Sequence, residues 1–446
     1  MRRQLVTELS AWKDSKQRLP LLLDGARQTG KTYLLTQLFA QQFSRYLHID
    51  FLERPEFIGA FEGALTPAKL LANLQLLSGQ SFDPKTDLLI LDEIGECPRA
   101  VTSLKYFAEQ MPEAFVVASG SNIGLLNSFP VGKVQQHNLR PLSFHEFLMA
   151  SRQDMLVQAF EQRERSKIAH ELLMQQLIDY YFTGGMPAAV KAWFSIDEMQ
   201  ILERINAVDR VHANLIAGYQ RDFGKYAGQT NAQLIDAVFK QIPAQLSSVV
   251  DDSVKRFRFK SVYPPKSRYA DFESAINWLH QCRLVLLNYP IEGQPRAPLV
   301  ALRKPSRVKL FLFDVGLLNH MLGTTYQQIQ QQAYAYKGFV AENFVQQELA
   351  VLGLEPTHAW TSSGAEVEFL LTDHLGQIVP VEVKSGSRTR ARSLVSYVER
   401  YRPTKTVKLS ALSGETRTTN NNTTAIQVPL YDVAFLPGLL ETSTAA

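Results

Sequence analysis

The chain has 446 residues, of which 45% are hydrophobic and 20% charged, and its formal net charge is +4. That length predicts about two to four domains, and that balance is typical of a globular protein rather than a disordered one. Its two cysteines, Cys97 and Cys282, exclude a disulfide framework or cysteine zinc cluster, and no apolar run resembles a secretion signal or a bilayer span. We therefore expect a cytoplasmic protein that does not enter a membrane.

The first motif is "LPLLLDGARQTGKTYLLTQLF", in which a short apolar strand leads into a glycine-rich loop and then a helical pattern. A phosphate-binding loop requires this order. Gly25 and Gly30 let backbone N–H groups turn towards phosphate oxygens, and the helix start adds its positive dipole end. Lys31 is predicted to neutralise the β- and γ-phosphates, and Thr32 to hold Mg²⁺. The predicted ATP-binding residues are Gly25, Ala26, Arg27, Gln28, Thr29, Gly30, Lys31 and Thr32.

A second apolar run, "DLLILDEIGECP", ends in Asp92 and Glu93. Ligands bind beyond the carboxyl ends of strands in open α/β sheets, so we expect Asp92 to bind the Mg²⁺ of the nucleotide. Glu93 would then polarise the attacking water. Alone, such a run fits a solvated strand end equally well, but the phosphate loop favours the catalytic interpretation. A third run, "AFVVASGSN", makes Ser121 or Asn122 a candidate to sense the γ-phosphate.

The middle of the chain is predicted to be mainly helical. From Ser151 to about Phe223 the pattern is helical with a turn at "GGMP", and we interpret this segment as a lid over the nucleotide. The stretch "NAQLIDAVFKQIPAQLSSVV" then predicts a helix, a break at Pro243 and a second short helix. "YADFESAINWLHQCRLVLL" predicts a helix that runs into a strand, and "RVKLFLF" predicts a matching strand. Helices followed by a β-ribbon favour a winged helix-turn-helix.

Basic residues are concentrated in two segments. Residues 255–309 contain 12 Lys or Arg against three acids, and residues 385–408 contain seven against one. This concentration indicates contact with a polyanion such as DNA, although solvated faces give the same pattern and winged helices also bind proteins. The basic residues around the predicted winged helix include Arg256, Arg258, Lys260, Lys266, Arg268, Arg303, Lys304 and Arg307.

Acidic residues recur in the C-terminal region. In the strand-like runs "GAEVEFLL" and "IVPVEVKSG", alternation puts Glu366 and Glu368 on one face, and Glu382 and Lys384 on one face. The intervening "TDHLGQ" predicts a hairpin turn that brings the carboxylates together. Glu342, in "GFVAENFVQQELAVLG", falls at the edge of an apolar helical stripe, where a carboxylate needs a partner. That partner is either a bound cation or the other member of a buried ion pair.

The chain resembles prokaryotic ATPases of the AAA superfamily whose C-terminal region is domain of unknown function 4143. The first runs that carry this resemblance are "GARQTGKT", "LLILDEI", "VVASGSN" and "LRPLSFHEFL". The resemblance continues through "YYFTGGMPAAV", "FLFDVGLL", "KGFVAENFVQQEL" and "VEVKSG", and so covers nearly the whole chain. It also implies a winged helix. Such ATPases usually carry a Gly-Arg pair before "PLSF", where this chain has Gly132 and Lys133. Arg140 is therefore the candidate arginine finger.

The C-terminal residues also resemble the PD-(D/E)xK nuclease core, which has a helix acid, a strand acid and E-x-K on the next strand. The resemblance implies that Glu342, Glu368 and Glu382 bind Mg²⁺, and that Lys384 positions the attacking water or stabilises developing charge. Related ATPases usually have Asp where this chain has Glu368. The extra methylene moves the carboxylate by roughly 1.5 Å, which leaves cleavage open.

Together these features predict an α/β protein of four parts: an AAA-type P-loop ATPase (1–150), a helical lid (151–225), a winged-helix domain (226–330) and a restriction-endonuclease-like α/β domain (331–446). ATP and Mg²⁺ are the predicted cofactors, DNA is the predicted partner, and a homo-oligomer is a candidate assembly. The leading function is an ATP-dependent protein acting on DNA, as a Mg²⁺-dependent nuclease in genome maintenance or defence. The alternative is an ATP-driven signalling or assembly switch whose C-terminal fold binds nucleic acid or a protein without cleavage.

Overall fold

The computed structural model describes residues 1–121, 123–125, 130–227, 229–247, 256–331, 337–386, 392–418 and 423–441. The chain forms two compact units. The first contains Met1–Arg140 and the short segment Gln281–Arg283, and the second contains Pro141–His280 and Leu284–Ala446. Among the described residues, no helix combines the length and the apolar character needed to cross a membrane.

The first unit is built on a five-stranded parallel sheet. Its strands and helices are α1 (Leu5–Asp14), β1 (Leu21–Asp24), α2 (Lys31–Tyr33), β2 (Tyr46–Asp50), α3 (Pro67–Ser78), β3 (Leu88–Asp92), α4 (Pro98–Gln110), β4 (Phe115–Gly120) and β5 (Gln135–Asn138). The strand order is β2-β3-β4-β1-β5. Side chains alternate between the faces, so Leu22 and Leu89 pack into one apolar cluster and Leu21 and Leu88 into another. Because all strands run the same way, β1 and β3 end at one edge of the sheet, where ligands bind in such folds.

The second unit opens with a helical region. Its helices are α5 (Phe144–Ala150), α6 (Asp154–Glu161), α7 (Lys167–Thr183), α8 (Pro187–Ser195), α9 (Ile201–Ala227), α10 (Gln229–Ser247) and α11 (Tyr269–Gln281). The predicted turn at "GGMP" is confirmed, since α7 ends just before it and α8 begins at its proline. A Cβ on Gly184 would lie 2.2 Å from Asp314 Oδ1, and one on Gly185 would lie 2.1 Å from Leu142 O. Only glycine fits this close approach.

The predicted break at Pro243 is wrong. Helix α10 continues through this proline to Ser247 as one element. Proline removes one backbone donor from a helix, and it ends the helix only when the surrounding packing does not hold the next turn. Here the side chains on both sides of the proline, Ile242 and Leu246, are buried. Tertiary packing therefore overrides the local signal.

The rest of the second unit is an eight-stranded mixed sheet with the order β12-β13-β11-β10-β9-β8-β6-β7. Its strands are β6 (Val285–Glu292), β7 (Lys309–Leu312), β8 (Thr357–Ser362), β9 (Ala365–Thr372), β10 (Ile378–Val383), β11 (Lys405–Ser410), β12 (Glu415–Thr418) and β13 (Thr424–Pro429). Its helices are α12 (Val315–Met321), α13 (Tyr326–Gln330), α14 (Lys337–Val351), α15 (Arg392–Tyr401) and α16 (Leu436–Glu441). Strands β9 and β10 form the predicted hairpin, with Ile378 opposite Thr372.

The predicted β-ribbon forms, but it belongs to this larger sheet. Strands β6 and β7 pair antiparallel, as expected, and the other edge of β6 pairs parallel with β8. Residues 285–291 of β6 are buried without interruption. Such a continuous run is typical of a strand with neighbours on both edges. The ribbon is therefore the margin of the C-terminal sheet and not a separate two-stranded wing.

Helix α14 is buried on every side, which differs from the amphipathic helix that the sequence predicted. All residues from Phe339 to Ala350 are buried, including polar ones. Their side chains bond to backbone groups of other elements: Asn343 accepts from Leu312 N and donates to Leu312 O, each at 2.9 Å. Glu348 accepts from Phe144 N at 3.0 Å, and burial raises the pKa of Glu348 to about 8. This carboxyl group is consequently protonated in the folded protein at neutral pH.

We expect Glu348 to make the folded state less stable as the pH rises from about 4.5 to about 8. Over that range the group stays protonated in the folded protein and ionises in the unfolded chain, so unfolding releases a proton. Glu348→Gln should remove this pH dependence. At alkaline pH the free energy of unfolding of the variant should be higher than that of the wild type by up to about 4–5 kcal/mol. Urea denaturation at several pH values measures it. Glu171→Gln, at an exposed position, is the control, and an unchanged pH dependence in Glu348→Gln contradicts the assignment.

Candidate nucleotide site and acidic cluster

The loop after β1 curls around its own lysine. Gly30, with φ of 92°, and Gln28, with φ of 67°, take the left-handed conformation that turns the backbone. The buried Nζ of Lys31 donates to Gly25 O and Ala26 O, both at 3.0 Å. Burial lowers the pKa of Lys31. Phosphate oxygens would offer this ammonium group stronger, charged acceptors than the two carbonyls.

Contacts from other parts of the first unit hold the loop in place. Asp24 Oδ1 accepts from Gly25 N at 2.8 Å, and Asp24 Oδ2 accepts from Arg283 Nε at 2.9 Å. Arg3 Nη1 donates to Thr29 O at 3.2 Å. A Cβ on Gly25 would lie 2.4 Å from Leu139 O, so this position also excludes larger residues. The loop conformation is therefore imposed by the surrounding fold.

Asp92 and Thr32 lie side by side, as two ligands of one Mg²⁺ must. Thr32 Oγ1 donates to Asp92 Oδ2 at 2.5 Å, and the Ser119 hydroxyl donates to Asp92 Oδ1. Burial opposes ionisation of Asp92, but hydrogen bonds from His48, Ser119 and Thr32 outweigh it and lower its pKa. An ionised carboxylate beside a hydroxyl oxygen fits the oxygen preference of Mg²⁺. Glu93 follows, with φ of 49° and a pKa raised by burial.

Sequence reasoning missed two residues at the same edge of the sheet. The ligand atoms of His48, Asp50 and Asp92 lie within 4.8 Å of one another, an arrangement that suits a metal ion. Asp50 is paired in register with Asp92, because β2 and β3 run in parallel. The signal was available in "YLHID", another strand that ends in an acid, but its neighbour in the sheet could not be read from the sequence.

The two remaining predictions for the nucleotide site have different outcomes. Ser121 Oγ accepts from Arg27 Nε at 3.3 Å, which links the end of β4 to the phosphate loop. Asn122 lies outside the described residues. Arg140 follows β5, and its carbonyl accepts from Arg3 Nη2 at 2.6 Å. Its role as an arginine finger stays a prediction.

In the second unit, Lys384 lies between two of the predicted acids. Its Nζ is 3.0 Å from Glu382 Oε1 and 3.5 Å from Glu368 Oε1. Glu368 Oε2 also accepts from Val383 N at 3.0 Å, which fixes the β9 carboxylate against β10. Glu382 Oε2 is buried and has no hydrogen-bond partner among the described residues. A buried carboxylate oxygen in this position calls for a proton, a water molecule or a cation.

A second lysine, which sequence reasoning missed, joins the same cluster. Lys309 of β7 forms a buried ion pair with Glu342 of α14, and its Nζ lies 3.6 Å from Glu366 Oε1. The side chain of Lys309 is only 4% exposed. The signal was a lysine within the apolar run "RVKLFLF", where a buried ammonium group requires an acid. We call the six residues Lys309, Glu342, Glu366, Glu368, Glu382 and Lys384 the acidic cluster.

The pKa of each group in the acidic cluster depends on burial and on the charges of its neighbours. Burial raises the pKa of Glu368 to about 7, with further increases from Glu342, Glu382 and Glu366 that Lys384 opposes. Burial also raises the pKa of Glu382. Burial alone would lower the pKa of Lys384, but the neighbouring acids raise it. Among the described residues, no three carboxylates of the acidic cluster have their oxygen atoms all within 4.8 Å of one another. A metal ion would therefore have to draw them closer.

Three family models match successive parts of the chain. The model for an AAA domain matches residues 17–148, that for a domain of unknown function (DUF8612) matches residues 174–328, and that for a domain of unknown function (DUF4143) matches residues 337–431. The chain thus contains an AAA domain, a domain type of nucleotide-binding ATPases, followed at its C-terminus by a DUF4143 domain. The fold agrees, with a parallel sheet, a helical region and a C-terminal mixed sheet.

Whole-chain comparisons add little. No curated protein matches the sequence. One similar solved structure is a Signal Transduction ATPase with Numerous Domains that has a tetratricopeptide repeat sensor, from Pyrococcus horikoshii, at 13% identity and a TM-score of 0.27. The match covers 79% of this chain and 45% of that one, so it spans under half of the relative. Another is Drosophila ORC bound to DNA, at 15% identity and a TM-score of 0.25, covering 72% and 86%. Both matches are too weak to assign a function.

We expect Lys31→Ala to abolish ATP binding, because the phosphates lose their buried point charge. Glu93→Gln should keep ATP binding and lower turnover by about 10²-fold or more, since binding does not use the water-polarising carboxylate. Fluorescent nucleotide titration and phosphate release measure the two steps. Lys69→Ala and Glu62→Gln, at exposed positions of the same unit, are the matched controls. Normal turnover in Glu93→Gln would remove Glu93 from the catalytic role.

Proposed function

We propose that the protein is an ATP-dependent, Mg²⁺-dependent nuclease that acts on DNA in the cytoplasm, in genome maintenance or defence. The observation that carries this proposal is the contact of Lys384 with both Glu368 and Glu382, with Glu342 close enough to raise the pKa of Glu368 and with a buried oxygen of Glu382 that lacks a hydrogen-bond donor among the described residues. In this proposal residues 1–150 bind and hydrolyse ATP, and residues 151–225 form a lid. Residues 226–330 form a winged helix whose β-ribbon is continuous with the C-terminal sheet, and residues 331–446 form the nuclease domain.

The charge balance of the acidic cluster supports a divalent cation. Four carboxylates face Lys309 and Lys384, and Lys408, opposite Glu382 in the sheet, adds a third cation, so full ionisation leaves one negative charge for an ion to compensate. Glutamate oxygens are suitable ligands for Mg²⁺. Glu342, Glu368 and Glu382 would hold the ion, which when bound stabilises charge that develops on a phosphate. Lys384 would orient the attacking water, since its ammonium group lies beside two of these acids.

An exposed basic segment supports contact with DNA. Residues 256–260 alternate, with Arg256, Arg258 and Lys260 exposed, and Phe257 and Phe259 buried. Phe257 N donates to Val308 O at 2.7 Å, which anchors the segment so that its basic side chains face one way. Lys266 and Arg268 extend the same charge along the chain. Phosphates of a nucleic acid fit such a row of cations.

The ATPase part of the proposal assigns Mg²⁺ to Thr32 and Asp92 and water activation to Glu93, and it keeps Ser121 and Asn122 as candidate γ-phosphate sensors. Arg140 would complete the site of a neighbouring copy in a homo-oligomer. The geometry of Thr32 and Asp92, which lie 2.5 Å apart through their side-chain oxygens, supports the metal assignment.

One observation favours the alternative switch, in which the C-terminal fold binds DNA or a protein without cleavage. Lys309 already neutralises Glu342, and Glu368 is longer than the Asp of related ATPases. A buried carboxylate that a lysine already neutralises needs no metal ion to compensate its charge. The two candidates differ in whether a divalent cation binds there.

If residues 256–260 contact phosphates, DNA affinity should fall steeply with salt concentration. Replacing Arg256, Arg258 and Lys260 with Gln should reduce the slope of log affinity against log salt by about 2–3, because roughly one counterion is released per phosphate contact. Fluorescence anisotropy at several salt concentrations measures the slope. Replacing three exposed lysines outside the segment with Gln is the control of equal charge: Lys85, Lys105 and Lys191. Equal slopes in both triple variants would favour a protein-binding role.

If the acidic cluster is catalytic, Glu382→Gln and Lys384→Ala should each lower DNA cleavage by about 10²-fold or more and leave ATP hydrolysis largely intact. Purified protein is incubated with Mg²⁺ or Mn²⁺ and several DNA and RNA forms, with and without ATP. Asp236→Asn, which breaks an ion pair with Lys240 outside the cluster, should cut normally. Glu368→Asp should preserve or raise the rate.

A metal titration of thermal stability separates cleavage from the switch. A bound cation should raise the melting temperature of the wild type and of Lys384→Ala, and the increase should shrink in Glu382→Gln. The ion-pair alternative predicts no such cation-dependent difference, together with a lower melting temperature for Lys384→Ala, because a buried acid is left without its lysine. That second pattern would exclude the nuclease.

A further inference from the structure

A second cluster of metal-ligand side chains lies among the helices of the second unit. Asp209 and His212 are three residues apart on α9, so they share one helical face. His320, in the last turn of α12, completes the group. One ligand atom from each residue lies within 4.8 Å of the other two. The cluster involves none of the residues assigned above to ATP, DNA or Mg²⁺.

The hydrogen bonds of His212 leave one nitrogen with a lone pair for coordination. Its Nε2 lies 3.0 Å from Thr183 O, and a carbonyl can only accept, so Nε2 carries the proton. Nδ1 is therefore unprotonated in the neutral ring. It is buried and has no hydrogen-bond partner among the described residues. Metal-binding histidines typically donate their other ring N–H to a carbonyl or carboxylate, as His212 does to Thr183.

His212 is fully buried and lies beside the ring of His320. The two rings meet edge to face, with centroids 5.5 Å apart.

The remaining two ligands are close to coordinating distances and open to solvent. His320 Nδ1 lies 3.2 Å from Asp209 Oδ1. Ligand atoms around a tetrahedral zinc ion are about 3.3 Å apart, given bonds of about 2.0–2.2 Å. The side chains of His320 and Asp209 are 26% and 46% exposed. An ion would therefore enter from the solvent side, and a water molecule would take its fourth position.

The surrounding backbone holds this arrangement rigidly. Thr183 ends α7 at the turn of Gly184 and Gly185, and Gly185 N donates to Asp314 Oδ2 at 2.7 Å. Asp314 also caps α12 by accepting from Leu317 N at 3.0 Å. The start of α12 and the end of α7 are thus joined next to the three ligands. Their positions follow from this junction and not from mobile loops.

We propose that Asp209, His212 and His320 form a site for a divalent transition ion of the zinc class, which links α9 to α12 and leaves its fourth position open to water. Two imidazoles and one carboxylate match the ligand preference of Zn²⁺ and differ from the all-oxygen sets that Mg²⁺ prefers.

The test uses the full chain, stripped of metal with a chelator, and Zn²⁺ alone as the probe. Because His48, Asp50 and Asp92 also suit a metal ion, isothermal titration calorimetry should find one more zinc equivalent in the wild type than in Asp209→Asn and His320→Ala, or the affinity for that equivalent should be at least tenfold weaker in these variants. These two residues are partly exposed, so their substitution leaves the core intact. His145→Ala removes a similar histidine–carboxylate pair, 2.9 Å from Glu161, and should retain that equivalent. Equal zinc binding in wild type, Asp209→Asn and His320→Ala would overturn the proposal, as would no binding to the wild type.

Co²⁺ gives a second readout that does not depend on a variant being as stable as the wild type. Four-coordinate Co²⁺ with nitrogen ligands absorbs visible light much more strongly than six-coordinate Co²⁺. The wild type should develop these bands at one equivalent and lose them on addition of Zn²⁺. Weak six-coordinate bands alone would mean that the three side chains form only a hydrogen-bonded group.

Discussion

The second unit depends on the polar side chains of α14, a helix buried on all sides. Each unmade hydrogen bond in such a place costs about 1–3 kcal/mol, so a helix of this kind is stable only where its partners are in register. Asn343 pairs with the N–H and C=O of Leu312, and Gln347 accepts from Val315 N at 2.9 Å. These bonds connect α14 to β7 and to the first turn of α12. They set the position of the helix more specifically than apolar packing, which tolerates small shifts.

The acidic cluster follows from this constraint. Asn343 fixes β7 against α14 at Leu312, and Lys309 on the same strand therefore meets Glu342, the neighbour of Asn343 in the helix. A buried charge needs a paired, hydrogen-bonded partner, so the two side chains are stable only together. The β9–β10 hairpin then brings Glu368 and Lys384 to the same place. The cluster is thus assembled from four segments by hydrogen bonds that lie outside it.

Local features of the sequence were sufficient for the phosphate loop, the "GGMP" turn and the β9–β10 hairpin, because glycine conformations and short spacings determine them. The candidate acids Glu342, Glu368 and Glu382 were also found, because a charge in an apolar run stands out. Lys309 and His48 were missed because their roles depend on which strands lie next to each other in the sheet. The periodicity of the sequence does not predict which strands pair. The break predicted at Pro243 was wrong because proline is only a local signal. The buried side chains around it stabilise the helix on both sides of the proline.

The two lysines of the acidic cluster differ in a way that bears on how a metal ion would enter. Lys309 is 4% exposed and contacts Glu342 and Glu366, so moving it would bury an uncompensated charge or open the core. Lys384 is 30% exposed and can turn towards solvent at a smaller cost. An entering cation would therefore replace Lys384 next to Glu368 and Glu382, while Lys309 stays as a permanent counterion.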